Sequence, residues 1–153
     1  MTDRRNITRN ALVTFLKCAS FLIVMDTYVI TTALVEFNGK YLIAKRASTK
    51  KFSPSQWEFI SGFIEEKEPA ENTIVRELHE EVKLKGKIIR KANPFSFVDK
   101  EACWVVIPFL IKAKNDKAVI NKKDHSESKW INIDELEKYK DLIPFSKMRE
   151  LLL

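Results

Sequence analysis

GFIEEKEPAENTIVRELHEEVKL, residues 62–84, is the stretch on which the reading of the whole chain turns. Its second half predicts a helix over Pro69 to Val82. A proline suits the first helical turn, where its missing N–H is not needed. Ala70, Ile74, Leu78 and Val82 then recur every four residues and make one apolar stripe. Arg76-Glu77-Leu78-His79-Glu80-Glu81 adds three carboxylates at spacings i, i+3 and i+4, which share a helix face. They are expected to project together, roughly opposite the Ile74/Leu78 side.

Like charges at this spacing repel and weaken an isolated helix. A divalent cation would remove that cost, and oxygen-only ligands favour a hard ion, Mg²⁺ or Mn²⁺. An ordinary solvated acidic face has the same composition. The surroundings separate the two readings. Arg76 is one turn from Glu80 and able to pair with it, Glu68 lies just before the helix, and Gly62 follows a short extended run. A glycine there lets a metal or phosphate approach the backbone closely.

Working outward, Thr27 to Phe37 is rich in β-branched residues and predicts a strand. Asn38-Gly39 is a hairpin turn, and Tyr41 to Lys45 returns as its partner. Ala47 to Gln56 reads as a loop and Trp57 to Ile60 as a short strand. Downstream, Lys85 to Arg90, Phe95 to Val98, Trp104 to Ala113 and Lys129 to Ile133 read as extended. A second helix opens at Asp134-Glu135-Leu136, capped by Asp134 or Asn132, and a third is expected over Phe145 to Leu153. This order predicts a mixed α/β domain with helices on the faces of a sheet.

With 153 residues, 45% of them hydrophobic, the chain suits one domain. Three glycines and five prolines exclude a low-complexity protein. Cys18 and Cys103 lie far apart, which fits two reduced thiols and a cytoplasmic protein rather than a disulfide framework. The net charge of +6 favours anionic partners. The lysines are scattered, however, and no basic helix or basic–aromatic interleaving marks a nucleic-acid surface. Residues 1–26 form an N-terminal extension. Arg4, Arg5 and Arg9 precede an apolar run from Ala11 to Met25, faintly like a signal peptide. Lys17 interrupts that run, no small-x-small site precedes Asp26, and the run is shorter than the roughly 20 residues a spanning helix needs. It is expected to be an extra element packed on the domain of residues 27–153, with a translation start at Met25 as the alternative. No membrane partner is expected, and a homodimer stays open.

Gly62, five residues, Glu68, seven residues and Arg76-Glu77-Leu78-x-Glu80-Glu81 resemble the Nudix box, at seven of its eight fixed positions. The eighth, usually a glycine, is Lys83. A lysine in the left-handed conformation used to close a helix costs on the order of 1 kcal/mol, unless the helix ends nearer Gly86. Lys45-Arg46 and Trp57-Glu58-Phe59 before the box and Trp130 after it agree with the resemblance. It implies a Nudix-like α/β/α sandwich around a mixed sheet, and Mg²⁺-dependent hydrolysis of a small nucleoside-diphosphate derivative by water attack at phosphorus. It makes Glu77, Glu80 and Glu81 the metal ligands, joined by the Gly62 carbonyl. Glu68 and Arg76 become the pair that fixes loop to helix.

The same resemblance nominates Arg46 for substrate contact and either Trp57 or Phe59 for stacking on a base. It looks for a general base in a later loop, where Asp124 and Glu127 are the candidates and His125 a weaker phosphate contact. Phe95 and Phe97 read mainly as core. The leading substrate is a nucleoside triphosphate. ADP-ribose or a dinucleotide is the enzymatic alternative, and a nucleotide-binding module without catalysis is the non-enzymatic one. The complete glutamate set argues against the last. Neither the basic surface of a decapping enzyme nor the extra features of a prenyl diphosphate isomerase is recognisable.

Overall fold

The computed structural model describes residues 25–99, 102–139 and 148–152. The N-terminal segment, residues 1–24, and much of the expected third helix lie outside them. Eight strands form one mixed sheet: β1 (Asp26–Phe37), β2 (Lys40–Arg46), β3 (Trp57–Glu58), β4 (Ile60–Phe63), β5 (Gly86–Lys91), β6 (Phe95–Val98), β7 (Ala102–Ala113) and β8 (His125–Asn132). One long helix, α1, spans Ala70–Val82, and a single turn, α2, spans Ile133–Leu136. Two short 3₁₀ turns follow, Glu137–Tyr139 and Arg149–Leu152.

β1 is the spine of the sheet. It runs parallel to β7 from Asp26 to Glu36, while its other edge pairs antiparallel first with β4 and then with β2. A strand covered in this way should be apolar throughout rather than alternating, and Ile30 to Val35 are all buried. The two polar residues among them, Thr31 and Thr32, donate hydroxyls to the carbonyls of Gly62 and Ile60.

Alternation along the strands sends side chains to two opposite faces. Ala33, Val35, Leu42, Ala44, Phe109 and Ile111 meet Ile74, Leu78 and Val82 of α1 on one face. Leu34, Ile43, Phe59 and Ile131 meet Leu136, Met148 and Leu151 on the other. The molecule is therefore an α/β/α sandwich with one thick helical layer and one thin one. Each fully buried member of the α1 stripe contributes roughly 1.5–3 kcal/mol, so the stripe anchors the helix whatever its acidic face costs.

Several boundaries differ from expectation. Pro69 precedes the first helical residue, with extended ψ of 143°, instead of opening the helix. β8 begins at His125, four residues before the expected strand, because the polar run His125–Ser128 pairs along the edge of β2. Backbone pairing on one side is enough to hold it extended. Asn132 leads into α2, and its N–H donates to the Glu135 carboxylate at 2.9 Å. That is half of a reciprocal capping box.

Lys83 takes the left-handed conformation, φ 58°, and its N–H closes the helix on the His79 carbonyl. The helix therefore ends where a glycine would end it, with the strain retained. Lys83→Gly should raise unfolding free energy by about 0.5–1 kcal/mol, seen as a higher denaturation midpoint at unchanged slope. A lower midpoint would contradict this.

Candidate active site

The guanidinium of Arg76 organises the loop that precedes α1. Two of its nitrogens grip Glu68 at 2.9 Å each, and a third reaches Glu77 at 2.8 Å and Glu80 at 3.2 Å. Such forked, charge-assisted contacts fix orientation as well as distance. The Arg76 fork, with a Thr73 hydroxyl at 2.8 Å, holds the Glu68 carboxyl down at about 2. Glu68 and Arg76 thus tie loop to helix as expected.

Gly62 lies against Glu77 so closely that a Cβ there would collide with the Glu77 carboxyl group. The missing side chain is a packing requirement, and it keeps the Gly62 backbone beside a carboxylate. Gly62→Ala would have to push Glu77 out of place.

The three glutamates do not share one environment, contrary to the expected common projection. Glu80 is 54% exposed at its side chain and turned toward Arg76. Glu77 is 15% exposed. Glu81 is only 8% exposed, and its Oε2 is buried with no hydrogen-bond partner. The reason is geometric. Glu77 and Glu81 lie between the apolar stripe and the exposed face, where the sheet overhangs the helix. Burial pushes both carboxyls up. For Glu77 Arg76 opposes the shift, whereas for Glu81 the negative charges of Glu58, Glu77 and Asp124 reinforce it.

Behind Glu81 stands a chain of buried polar groups. Glu58 accepts from Arg46 Nη1 at 2.6 Å and lies 2.9 Å from His125 Nε2. Arg46 also donates to the Phe52 carbonyl at 2.8 Å. Removing one partner of such a buried pair typically costs about 3–5 kcal/mol. On the rim, Lys50 Nζ meets Asp124 Oδ1 at 2.7 Å.

Arg46, Lys50, Glu58, Glu81 and Asp124 line a cavity of about 640 Å³ together with Phe52, Phe63, Phe97 and Trp104. The Trp104 ring packs on Phe52 with centroids 5.1 Å apart, and its Nε1 donates to Asp99 at 2.8 Å. Phe97 sits directly across from Trp104 on β6, its ring nearly parallel.

The cavity gathers Gly62, Glu77, Glu81, Arg46 and Asp124 from the expected residues. Glu127 is exposed on β8 opposite Lys45 and does not line it. Trp57 and Phe59 do not reach it either. Glu58 points to the cavity, so its two neighbours must point to the opposite face. There Phe59 is buried beside Leu34, and Trp57 packs on Tyr139 with Lys129 over its ring. Arg46 is held by Glu58, and His125, offered as a phosphate contact, is fully buried against the same carboxylate and does not line the cavity. Glu58, Lys50 and Trp104 were missed as site residues. Only Glu58 had a signal, its place between two apolar neighbours on a short strand.

Among the described residues, no three carboxylate, imidazole or thiol side chains already stand together as a metal site. The donor set nevertheless fits a hard cation. It is all oxygen, it includes an orphaned buried carboxylate oxygen, and it adjoins a backbone that carries no Cβ.

The fold is thus a mixed sheet between helical layers, with a glutamate-bearing helix lining a cavity. The chain belongs to the Nudix family: the model of the NUDIX domain matches residues 27–150. It is 26% identical over 122 residues to the nucleoside triphosphatase NudI of Escherichia fergusonii, covering 72% of this chain and 85% of that one. In fold it is similar to a MutT protein from Methanosarcina mazei, with TM-score 0.72, 18% identity and coverage of 84% and 92% of the two chains. It is also similar in fold to an Ap4A hydrolase from C. elegans, with TM-score 0.66, 18% identity and coverage of 80% and 93%. No helix among the described residues is long and apolar enough to cross a membrane.

The raised carboxyls of Glu77 and Glu81 favour the fold when protonated. Their contribution is complete below the ordinary value of 4.5 and is lost as pH rises through the raised values. Glu68 acts oppositely, and its contribution is lost only as pH falls toward about 2. The melting temperature of the metal-free protein should therefore fall as pH rises above 4.5, with Mg²⁺ flattening the decline. Glu81→Gln should remove much of the slope, and a flat metal-free profile would contradict the assignment.

Proposed function

We propose that this hydrolase cleaves a phosphoanhydride bond of a nucleoside triphosphate, using Mg²⁺, or Mn²⁺ in its place, held by Glu77, Glu80, Glu81 and the Gly62 carbonyl. The observation that carries the reading is a cavity lined by both acidic side chains and aromatic rings. Its volume of about 640 Å³ falls within the range of small-ligand sites. Six carboxylates line it against two cations, Arg46 and Lys50. Such a surface repels a polyphosphate unless divalent cations intervene. The name of the Escherichia fergusonii relative supports a triphosphate substrate.

When bound, the cation would neutralise phosphate charge and acidify the attacking water. The chain's own residues do the rest. Glu81 offers its unpartnered oxygen as a ligand, and Glu77 is held ready by Arg76. Glu80 would join them by leaving Arg76, giving up a contact of 3.2 Å that is exposed and weak. Asp124 accepts the proton of the attacking water, since it lines the cavity and Glu127 does not. The aromatic rings of the lining receive the base, and stacking there is worth roughly 1–3 kcal/mol per base.

The test is a panel of nucleoside triphosphates, ADP-ribose and dinucleotides with Mg²⁺, with products separated and identified. A triphosphate is expected to turn over fastest. Glu81→Gln should lose turnover by about two or more orders of magnitude while remaining folded. Glu71→Gln is the control: Glu71 pairs with Lys91 on the surface at 2.8 Å, and its loss should change little. Equal turnover in the Glu81→Gln variant would overturn the mechanism.

A further inference from the structure

We infer that Lys50 is the phosphate-binding cation of this cavity, held on Asp124 until substrate arrives and then transferred to the phosphate chain. The inference rests on the nucleotide reading above. Two cations line the cavity, and their circumstances differ. Arg46 is committed: its Nε and Nη1 are used by the Phe52 carbonyl and Glu58, and Glu58 is itself held by His125. Pulling Arg46 away would strand a buried carboxylate.

Lys50 has no such commitment. Its Nζ holds Asp124 Oδ1 at 2.7 Å, and both side chains keep solvent access, 32% and 25%. An ammonium is a compact charge with three donors on a flexible stem, so a change of partner needs only a side-chain rotation. The backbone does not have to follow. The Ala47 N–H donates to the Asp124 carbonyl at 2.9 Å, and the Lys50 N–H donates to the Ala47 carbonyl at 3.2 Å. The loop that carries Lys50 stays tied to Asp124 whichever group Nζ holds.

The exchange is favoured by charge. A terminal phosphate carries more negative charge and more acceptor oxygens than one carboxylate, so attraction at equal distance is larger. Asp124 already holds the lysine over the cavity, so much of the ordering cost of the contact is met before substrate binds. Asp124 is therefore a competitor for the same ammonium and a positioning residue for it.

The experiment is calorimetric binding of inorganic pyrophosphate in excess Mg²⁺ to the full chain and to four variants: Lys50→Met, Lys50→Arg, Asp124→Asn and the Lys50→Met/Asp124→Asn double variant. Lys50→Met should weaken binding on the order of tenfold, and Lys50→Arg should restore most of it. Asp124→Asn should tighten binding, because the competitor is removed, and that gain should shrink in the Lys50→Met background. Undiminished binding by Lys50→Met, or an Asp124→Asn effect equal in both backgrounds, would overturn the inference alone. Failure of the parent to bind pyrophosphate would remove the nucleotide reading along with it.

Discussion

Glu81 carries its carboxyl group into a cavity, with one buried oxygen that no hydrogen-bond donor reaches. Removing such a group from water costs several kcal/mol if it stays ionised and uncompensated. Much of the surrounding structure is arranged around that cost. The apolar stripe of Ile74, Leu78 and Val82 fastens α1 to the sheet, so the helix cannot roll to expose the carboxylate. Glu58 stands behind it, locked by Arg46 and His125, and adds to the unfavourable field. These acidic groups oppose one another's ionisation; on the proposed reading a cation would turn the same charges into ligands and supports.

Arg76 makes this arrangement possible. A single guanidinium spans Glu68 in the loop and Glu77 and Glu80 on the helix. It keeps Glu77 beside the backbone of Gly62, where no other residue would fit. The left-handed turn at Lys83 then ends the helix in the register that directs the chain into β5. The charge floor of the cavity and the packing of the core are therefore properties of one helix, and neither can be moved without the other.

The helix, the hairpin at Asn38-Gly39 and the mixed sheet were legible because each rests on local chemistry: period, turn residues and β-branched runs. Glu68, Arg76 and Gly62 were singled out through the resemblance to the Nudix box. The unequal burial of Glu77, Glu80 and Glu81 was not. Sharing a helix face says nothing about which part of that face the sheet covers. Glu58 and Lys50 were hidden for another reason. Their partners, His125 and Asp124, lie 67 and 74 residues away in the chain, and only the fold of β8 against β2 brings them together. The expected stacking of Trp57 or Phe59 on a base left open which face of their short strand looks into the cavity, and Glu58 takes that face. Trp104 was read as part of an apolar strand, although its indole N–H already signalled a need for a polar neighbour.

Burial raises the Glu81 carboxyl in the metal-free protein, and on the proposed reading a bound cation would take the place of its proton. Titrating Mg²⁺ into the protein in two buffers of different ionisation enthalpy counts the protons released on binding. Over mildly acidic to neutral pH the parent should release protons, and the Glu81→Gln variant should release fewer and bind Mg²⁺ more weakly. Equal affinity and equal proton release in the two proteins would contradict the account.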